Sequence, residues 1–255
     1  MIHPQAVVDP KAELASDVDV GPFTYIGPGV TIDSGTVVHS HVCIKGPTRI
    51  GKRNQIFQFA SVGEGCQDKK YRGEPTSLEI GDDNQIRECA TIHRGTVQDE
   101  GVTRIGDRNL LMCYVHVAHD CRLGNDNIFA NNATMAGHVH VDHDVIFGGF
   151  SGAHQFCRIG AYSMLAKGAL TGKDIPAFVM VTGNPARPTG MNFEGMRRRQ
   201  FSQESLKALR EAYKVVYMRG HKLDDAIALL QAEPQNDYLR IFIDSILSST
   251  RGIAR

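Results

Sequence analysis

No two of the six cysteines, at positions 43, 66, 89, 113, 121 and 157, form a CxxC pair. Their scatter points to free thiols in a reducing compartment, not to a disulfide framework. Net charge is also missing, since 28 basic residues balance 28 acidic ones, which argues against a general nucleic-acid binder. No stretch approaches the roughly 18 uninterrupted apolar residues of a membrane span. The opening MIHPQAVVDP has neither a basic start nor an apolar run, so no signal peptide is expected. These absences together predict a soluble, cytoplasmic protein with no nucleic-acid partner and no stable membrane insertion.

What the sequence does contain is a beat. Ile105, Leu111, Val117, Leu123, Phe129, Met135, Val141, Phe147, Ala153, Ile159 and Leu165 place an apolar or small residue at every sixth position. Neither a helix nor an alternating strand has that period. A hexapeptide repeat predicts a parallel β-helix, here a left-handed one whose triangular coil takes three hexads. Residues eighteen apart then lie above one another, about 4.8 Å apart as in neighbouring strands.

The same beat opens the chain at Val8, Leu14, Val20, Ile26, Ile32, Val38, Ile44, Ile50, Ile56 and Val62. It lapses over EGCQDKKYRGEPTS, which is too polar to line a core, so residues about 64–78 form an outward loop. Ile92 to Ile105 spans thirteen residues, a slip of one, and predicts a second loop at about 96–103. Loops on a rigid solenoid are usual places for binding residues. IGKRN (50–54), IGDDN (80–84), IGDRN (105–109) and LGNDN (123–127) share a corner pattern, with glycine and asparagine expected to accept tight-turn angles.

After about Thr171 the beat stops, and Pro176, Pro185 and Pro188 stiffen the exit. Ser202 is the expected N-cap of a helix bearing Leu206, Leu209, Tyr213 and Val216, with Gly220 as its stop. Leu223, Ile227 and Leu230 mark a second helix, and Leu239, Phe242, Ile246 and Leu247 a third. The expected division is a β-helix over 1–190 and a small α-helical domain over 191–255 that caps the open end of the prism.

The eighteen-residue stacking also orders the polar residues. His119 lies two after inward Val117 and points outward, and Gly137 and Gln155 continue its column. Asp120, His138 and Phe156 make the next. A histidine, an adjacent carboxylate and a bare glycine amide converge, which is a base, its orienter and an oxyanion donor, the set that acyl transfer needs. Other histidines, such as His3, His39, His41 and His221, are expected to be solvated surface, and His140 and His143 have no assignment.

Several longer strings carry a resemblance. QDKKYRGEPT (67–76), IRECATIHRGTVQ (86–98), HVAHD (116–120), NNATMAGHV (131–139), AHQFCRIGA (153–161) and NFEGMRRR (192–199) recur at matching positions in one family. From about residue 8 to the terminal RGIAR the chain resembles the UDP-N-acetylglucosamine 3-O-acyltransferases, which open lipid A synthesis in Gram-negative bacteria. The resemblance implies a homotrimer with active sites between subunits, moving a 3-hydroxyacyl chain from acyl carrier protein to the glucosamine 3-hydroxyl of UDP-N-acetylglucosamine. It implies His119 as general base, Asp120 as its orienter and the Gly137 amide as oxyanion donor. Asp68, Lys70, His116, His138, His154 and Gln155 match substrate-contacting positions. Asn192, Glu194, Arg198 and Arg199 match positions that bind the nucleotide sugar.

No cofactor or metal is implied, the phosphopantetheine thioester of the carrier protein being a co-substrate. Three positions depart from the family pattern. Lys69 stands where an apolar residue is common, Pro185 replaces a histidine of the acyl groove, and Lys167 falls where glycine admits long chains. Lys167 is therefore expected to shorten the accepted acyl chain, its stem along the groove and its ammonium in water. The basic residues Arg197, Arg198, Arg199, Lys207, Arg210 and Lys214 are either a solvated face or a dock for the acidic carrier protein.

The nearest alternative is a related N-acyl- or acetyltransferase on a nucleotide amino sugar. A more distant one is a zinc protein like the γ-class carbonic anhydrases, with His116, His119 and His138 as ligands. Against it, the His-x-x-His spacing is narrower than that family's pair, and its other signatures have no match.

Overall fold

The computed structural model describes residues 1–234 and 236–255. The chain winds as a left-handed parallel β-helix. Its three sheets, of nine, eight and ten strands, are the sides of a triangular prism, and all pairings are parallel except a closing hairpin. In plain coils the register is eighteen residues: His116 pairs with Thr134, Val117 with Met135, and Thr134 with Gly152. The beat is therefore the core. Ile26, Ile44, Val62, Ile92, Val117 and Met135 stack up one side of the interior with no exposed surface. Each such side chain contributes about 1.5–3 kcal/mol on leaving water.

Two coils are longer. Val62 pairs with Ile92, thirty residues on, and Ile92 pairs with Val117, twenty-five on. Val62 and Ile80 are thus consecutive inward positions on neighbouring sheets, and so are Ile92 and Ile105. The expected slip of one residue after Ile92 is not a slip. Extra residues leave the wall after His93 and return at Val102, with the rungs intact on either side. The first excursion leaves after Glu64 and returns at Ser77. Both depart from the same corner, between the nine- and eight-stranded sheets.

The shared corner pattern works differently from the expectation. The left-handed backbone belongs to the residue before each asparagine: Arg53, Asp83, Arg108 and Asp126 have φ of 54–60°. The asparagines turn inward and form a buried ladder. Asn84 donates its backbone N–H and side-chain amide to Asn54 Oδ1, at 2.9 and 3.0 Å, and Asn109 does the same to Asn84 Oδ1, at 2.8 and 3.0 Å. The glycines are there for close approach. A Cβ on Gly81 would come within 2.1 Å of Asp107 Oδ1, which accepts the Asp82 N–H at 2.8 Å.

Beyond the last full coil, strands Val179–Thr182 and Arg187–Met191 form the hairpin. Four helices follow among the described residues: α1 (Phe193–Arg198), α2 (Gln203–Tyr217), α3 (Leu223–Ala232) and α4 (Asp237–Leu247). Ser202 caps α2 by accepting the Ser205 N–H, and Gly220, at φ 73°, follows the helix end. Helix α1 escaped sequence reading because six residues are too short to display a period. Leu206, Leu209, Val216, Ile227, Leu230, Leu239, Phe242 and Ile246 face the core, whereas Leu247, the last residue of α4, is exposed.

The helices are welded to the prism. Phe178 stacks on Tyr162 and meets Phe201 and Tyr238 edge-on. The buried Asp174 carboxylate accepts from the Arg158 N–H below it and from Ser249, Thr250 and Arg251 above.

Replacing Asn84 by leucine would strip Asn109 of its acceptor. At about 1–3 kcal/mol for each orphaned buried group, the variant should unfold at clearly lower temperature and urea concentration than wild type. Unchanged midpoints would show that the ladder adds no stability.

Candidate active site

The corner that carries both excursions carries His119 on the next coil. His119 lies between strands His116–Val117 and Arg122–Leu123. Its Nδ1 is 2.8 Å from Asp120 Oδ2, and its side chain keeps 14% of its surface exposed while Asp120 keeps 1%. Asp120 takes the left-handed corner position at φ 59°, which turns its carboxylate back toward the second loop. There Thr96 donates its N–H to Oδ1 at 2.8 Å and its hydroxyl to Oδ2 at 2.6 Å. The Asp120 N–H donates to Thr103 Oγ1 at 2.8 Å. Burial alone would raise the Asp120 pKa, but hydrogen bonds from His119 and Thr96 outweigh it and hold the carboxyl below the usual aspartate range.

One coil above, a Cβ on Gly137 would lie 2.5 Å from His119 Cε1 and 2.6 Å from Nε2. Only glycine leaves room for the imidazole there. The Gly137 N–H donates to no group among the described residues. His138 packs edge-on to His119, with ring centroids 5.0 Å apart, and its Nε2 is 3.8 Å from Asp120 Oδ2. The eighteen-residue columns drawn from the sequence thus place His119, Asp120, Gly137 and His138 together, with Phe156 stacked on His138 at 4.4 Å. Gln155 stands exposed above Gly137.

The remaining expected residues fall into separate groups. His116 faces outward on the nine-stranded sheet, its Nδ1 2.7 Å from Thr91 Oγ1. Burial, and then the charge of His119, lower its pKa. His93 behind it is pushed to about 4, first by burial and then by His116. Asp68 and Lys70 sit on the first loop, which is pinned where Arg94 reaches Gly46 O and Tyr71 OH. Cys66, at its root, is close enough to Asp120 to feel its charge, although burial does most to raise the thiol pKa.

His154 and Pro185 line one open groove with Thr134, Phe150 and Leu170. Lys167 is exposed beside left-handed Gly168, outside the residues that line this groove.

The four residues expected to bind the nucleotide sugar lie at a different corner. Arg199 pairs with Asp144 at 2.5 Å, between the eight- and ten-stranded sheets. Asn192 is spent on structure: Oδ1 caps α1 by accepting the Gly195 N–H, and Nδ2 donates to Tyr162 O. Glu194 and Arg198 pair on the exposed side of α1. Within one chain, therefore, these four residues do not join His119. Of the wider basic run, Arg197 and Lys214 are also ion-paired, while Arg210 lies over the Phe193 ring.

Sequence reasoning missed Thr96, Thr103 and Asp99, because their approach depends on how a loop folds back. Only the recurrent HRGT (93–96) hinted at the first. As to a metal, His119, Asp120 and His138 offer ligand atoms within 4.8 Å of one another. Both Asp120 oxygens are already engaged, so a cation there would compete with the His119 bond. His116, named in the zinc alternative, is instead bonded to Thr91.

A carboxyl whose folded pKa is depressed stabilises the fold above its ordinary value, near 3.9, and stops doing so as pH falls through the folded value. The difference in unfolding temperature between wild type and Asp120→Asn should therefore be widest near about pH 7 and shrink below about pH 4. A difference that does not change with pH would remove the charge of Asp120 from the stability of this corner.

Comparison with known proteins fits this architecture. Residues 103–137 match the bacterial transferase hexapeptide family (six repeats), and residues 174–254 match the family described as UDP-N-acetylglucosamine O-acyltransferase, domain 2. The chain is 56% identical to the acyl-[acyl-carrier-protein]–UDP-N-acetylglucosamine O-acyltransferase of Stutzerimonas stutzeri (strain A1501), covering all of this chain and 99% of that one. Identity is 53% with the protein so named in Janthinobacterium sp. (strain Marseille), at the same coverage. Among solved structures, LpxA from Acinetobacter baumannii superposes with a TM-score of 0.97 at 54% identity, over 100% of this chain and 99% of that one. The Francisella novicida UDP-N-acetylglucosamine acyltransferase gives 0.97 at 44%, over 100% and 94%. The chain belongs to the family of acyl-[acyl-carrier-protein]–UDP-N-acetylglucosamine O-acyltransferases, and it is an acyltransferase.

Proposed function

We propose that the protein transfers a 3-hydroxyacyl chain from acyl carrier protein to the glucosamine 3-hydroxyl of UDP-N-acetylglucosamine, the first step of lipid A synthesis. One observation carries the mechanism: His119 is hydrogen-bonded to the buried Asp120 carboxylate and packs against the Gly137 amide, which has no partner among the described residues. With Nδ1–H given to Asp120, Nε2 is free to take the proton of the 3-hydroxyl as its oxygen attacks the thioester carbonyl. The Gly137 N–H receives the developing oxyanion. Collapse of the tetrahedral intermediate breaks the C–S bond, and the protonated His119 returns its proton to the departing thiolate. A thioester is activated already, so the step calls for no metal and no covalent enzyme intermediate.

The placement of the other residues supports a site shared between subunits of a homotrimer. Asn192, Glu194, Arg198 and Arg199 occupy a different prism corner from His119. A neighbouring copy that brings that corner to the dyad would supply arginines for the diphosphate. His116, His138, His154, Gln155, Asp68 and Lys70 would line the acyl and sugar path. Lys207 and Arg210 form no salt bridge among the described residues, although Lys207 is close enough to Glu211 to help lower its pKa, and both suit an acidic carrier protein. We place the enzyme in the cytoplasm, where nucleotide sugar and carrier protein occur. No helix among the described residues is long and apolar enough to cross a membrane.

The test is acyl transfer to UDP-N-acetylglucosamine from a panel of 3-hydroxyacyl carrier proteins. Wild type should turn over, and His119→Ala should lose at least about 10²-fold. Transfer that survives the mutation would remove His119 as the base, and no transfer from any donor would turn the assignment toward an N-acyl or acetyl transferase. Lys167 lies outside the groove lined within one chain, so it would meet the acyl path only where a neighbouring copy extends it; on the same panel Lys167→Gly should then shift preference toward longer chains. An unchanged chain-length profile would show that Lys167 does not set it.

A further inference from the structure

The second loop does more than bind Asp120 through Thr96. Three residues further on, Asp99 Oδ2 lies 3.1 Å from His138 Nδ1, and its Oδ1 lies 3.4 Å from the Arg122 guanidinium. We propose that Asp99 is a positioning residue for acyl transfer, acting through His138. The proposal rests on the reaction given above.

The argument turns on a degeneracy. His138 is nearly buried, with 9% of its side chain exposed, and its ring lies flat on Phe156 at an interplanar angle of 11°. Stacking fixes the plane of an imidazole but not which edge points where, since a ring turned by 180° stacks equally well. It also leaves the two neutral tautomers undecided. The Asp99 carboxylate decides both. It can accept only an N–H, so it holds Nδ1 toward the loop and keeps the proton there. Nε2 lies 3.8 Å from Asp120 Oδ2, beyond hydrogen-bond reach of an oxygen already engaged by Thr96 and His119, and is left as an acceptor toward the space beside His119. In the flipped ring a carbon would face Asp99 and no acceptor would face the reacting groups. Arg122 holds the other Asp99 oxygen and balances the charge of a second carboxylate beside Asp120.

The adjacent residue provides an internal control. Glu100 ties the same loop to the prism through Arg104 and Arg122 but, among the described residues, has no hydrogen bond or ion pair to His138. A loop that mattered only as an anchored segment would depend on Glu100 as much as on Asp99.

The experiment measures acyl transfer for Asp99→Ala, Asp99→Asn and Glu100→Gln, and for Asp99→Ala combined with His138→Ala, alongside nitrogen NMR of the His138 ring. Asp99→Ala should lower kcat/KM by about 10- to 100-fold, the range expected for one hydrogen bond to a charged group. Asp99→Asn, which keeps an acceptor oxygen, should recover most of that. Glu100→Gln should stay within about threefold of wild type, and in the His138→Ala background Asp99→Ala should cost nothing more. NMR should show a single Nδ1-protonated tautomer in wild type and a mixture in Asp99→Ala.

An equal loss in the His138→Ala background, an equal loss from Glu100→Gln, or a wild-type tautomer in Asp99→Ala would overturn the proposal. The tautomer is read without substrate. A wild type that fails to transfer would therefore count against the reaction, while an unaltered tautomer would count against Asp99 itself.

Discussion

Every useful distance in this protein descends from the hydrogen bonds that hold one coil on the next. A strand of two residues has no stability alone. It persists because its amides donate to the coil above while its carbonyls accept from the coil below, as in His116–Val117 on Thr134–Met135. That ladder fixes the step from coil to coil, and with it the spacing of everything that projects from the wall. A catalytic group held in this way has little freedom to drift, because moving it means moving a rung that two neighbours share.

The same ladder makes a buried charge tolerable at the corner. An isolated carboxylate at 1% exposure would be costly. Asp120 stays ionised because each oxygen meets a donor, from Thr96 on the loop below or from the adjacent His119. The left-handed backbone at positions 120 and 138 carries some strain for non-glycine residues. It recurs at most corners from Phe23 to Tyr162, where the chain turns sharply from one sheet to the next. At this corner it also aims a carboxylate and an imidazole at each other.

How much could be read beforehand follows from how local the determinants are. The period of six exposes the prism, its interior columns and the stacking of His119 under Gly137, because those depend only on counting. The corner asparagines were misread for a related reason. Counting shows that they align, not that their amides turn inward and that Arg53, Asp83, Arg108 and Asp126 take the turn angle. Asp99 and Thr96 were out of reach, since their contacts span two further coils through a loop with no repeat to index it. Arg199 shows the opposite limit. Its string was recognisable, yet only the structure reveals that it is tied to Asp144 at another corner.

Both excursions and the His119–Asp120 pair occupy one corner on three successive coils, while the other two corners keep their plain spacing. The wall resumes its register immediately after each insertion, at Ser77 and at Val102. That corner can therefore be lengthened, shortened or exchanged without disturbing the interior columns. A lineage can remodel what the enzyme grips at one vertex while the load-carrying prism is inherited unchanged. The interior columns and the two excursions are thus encoded in separate stretches of chain, and each can change in length at its own pace.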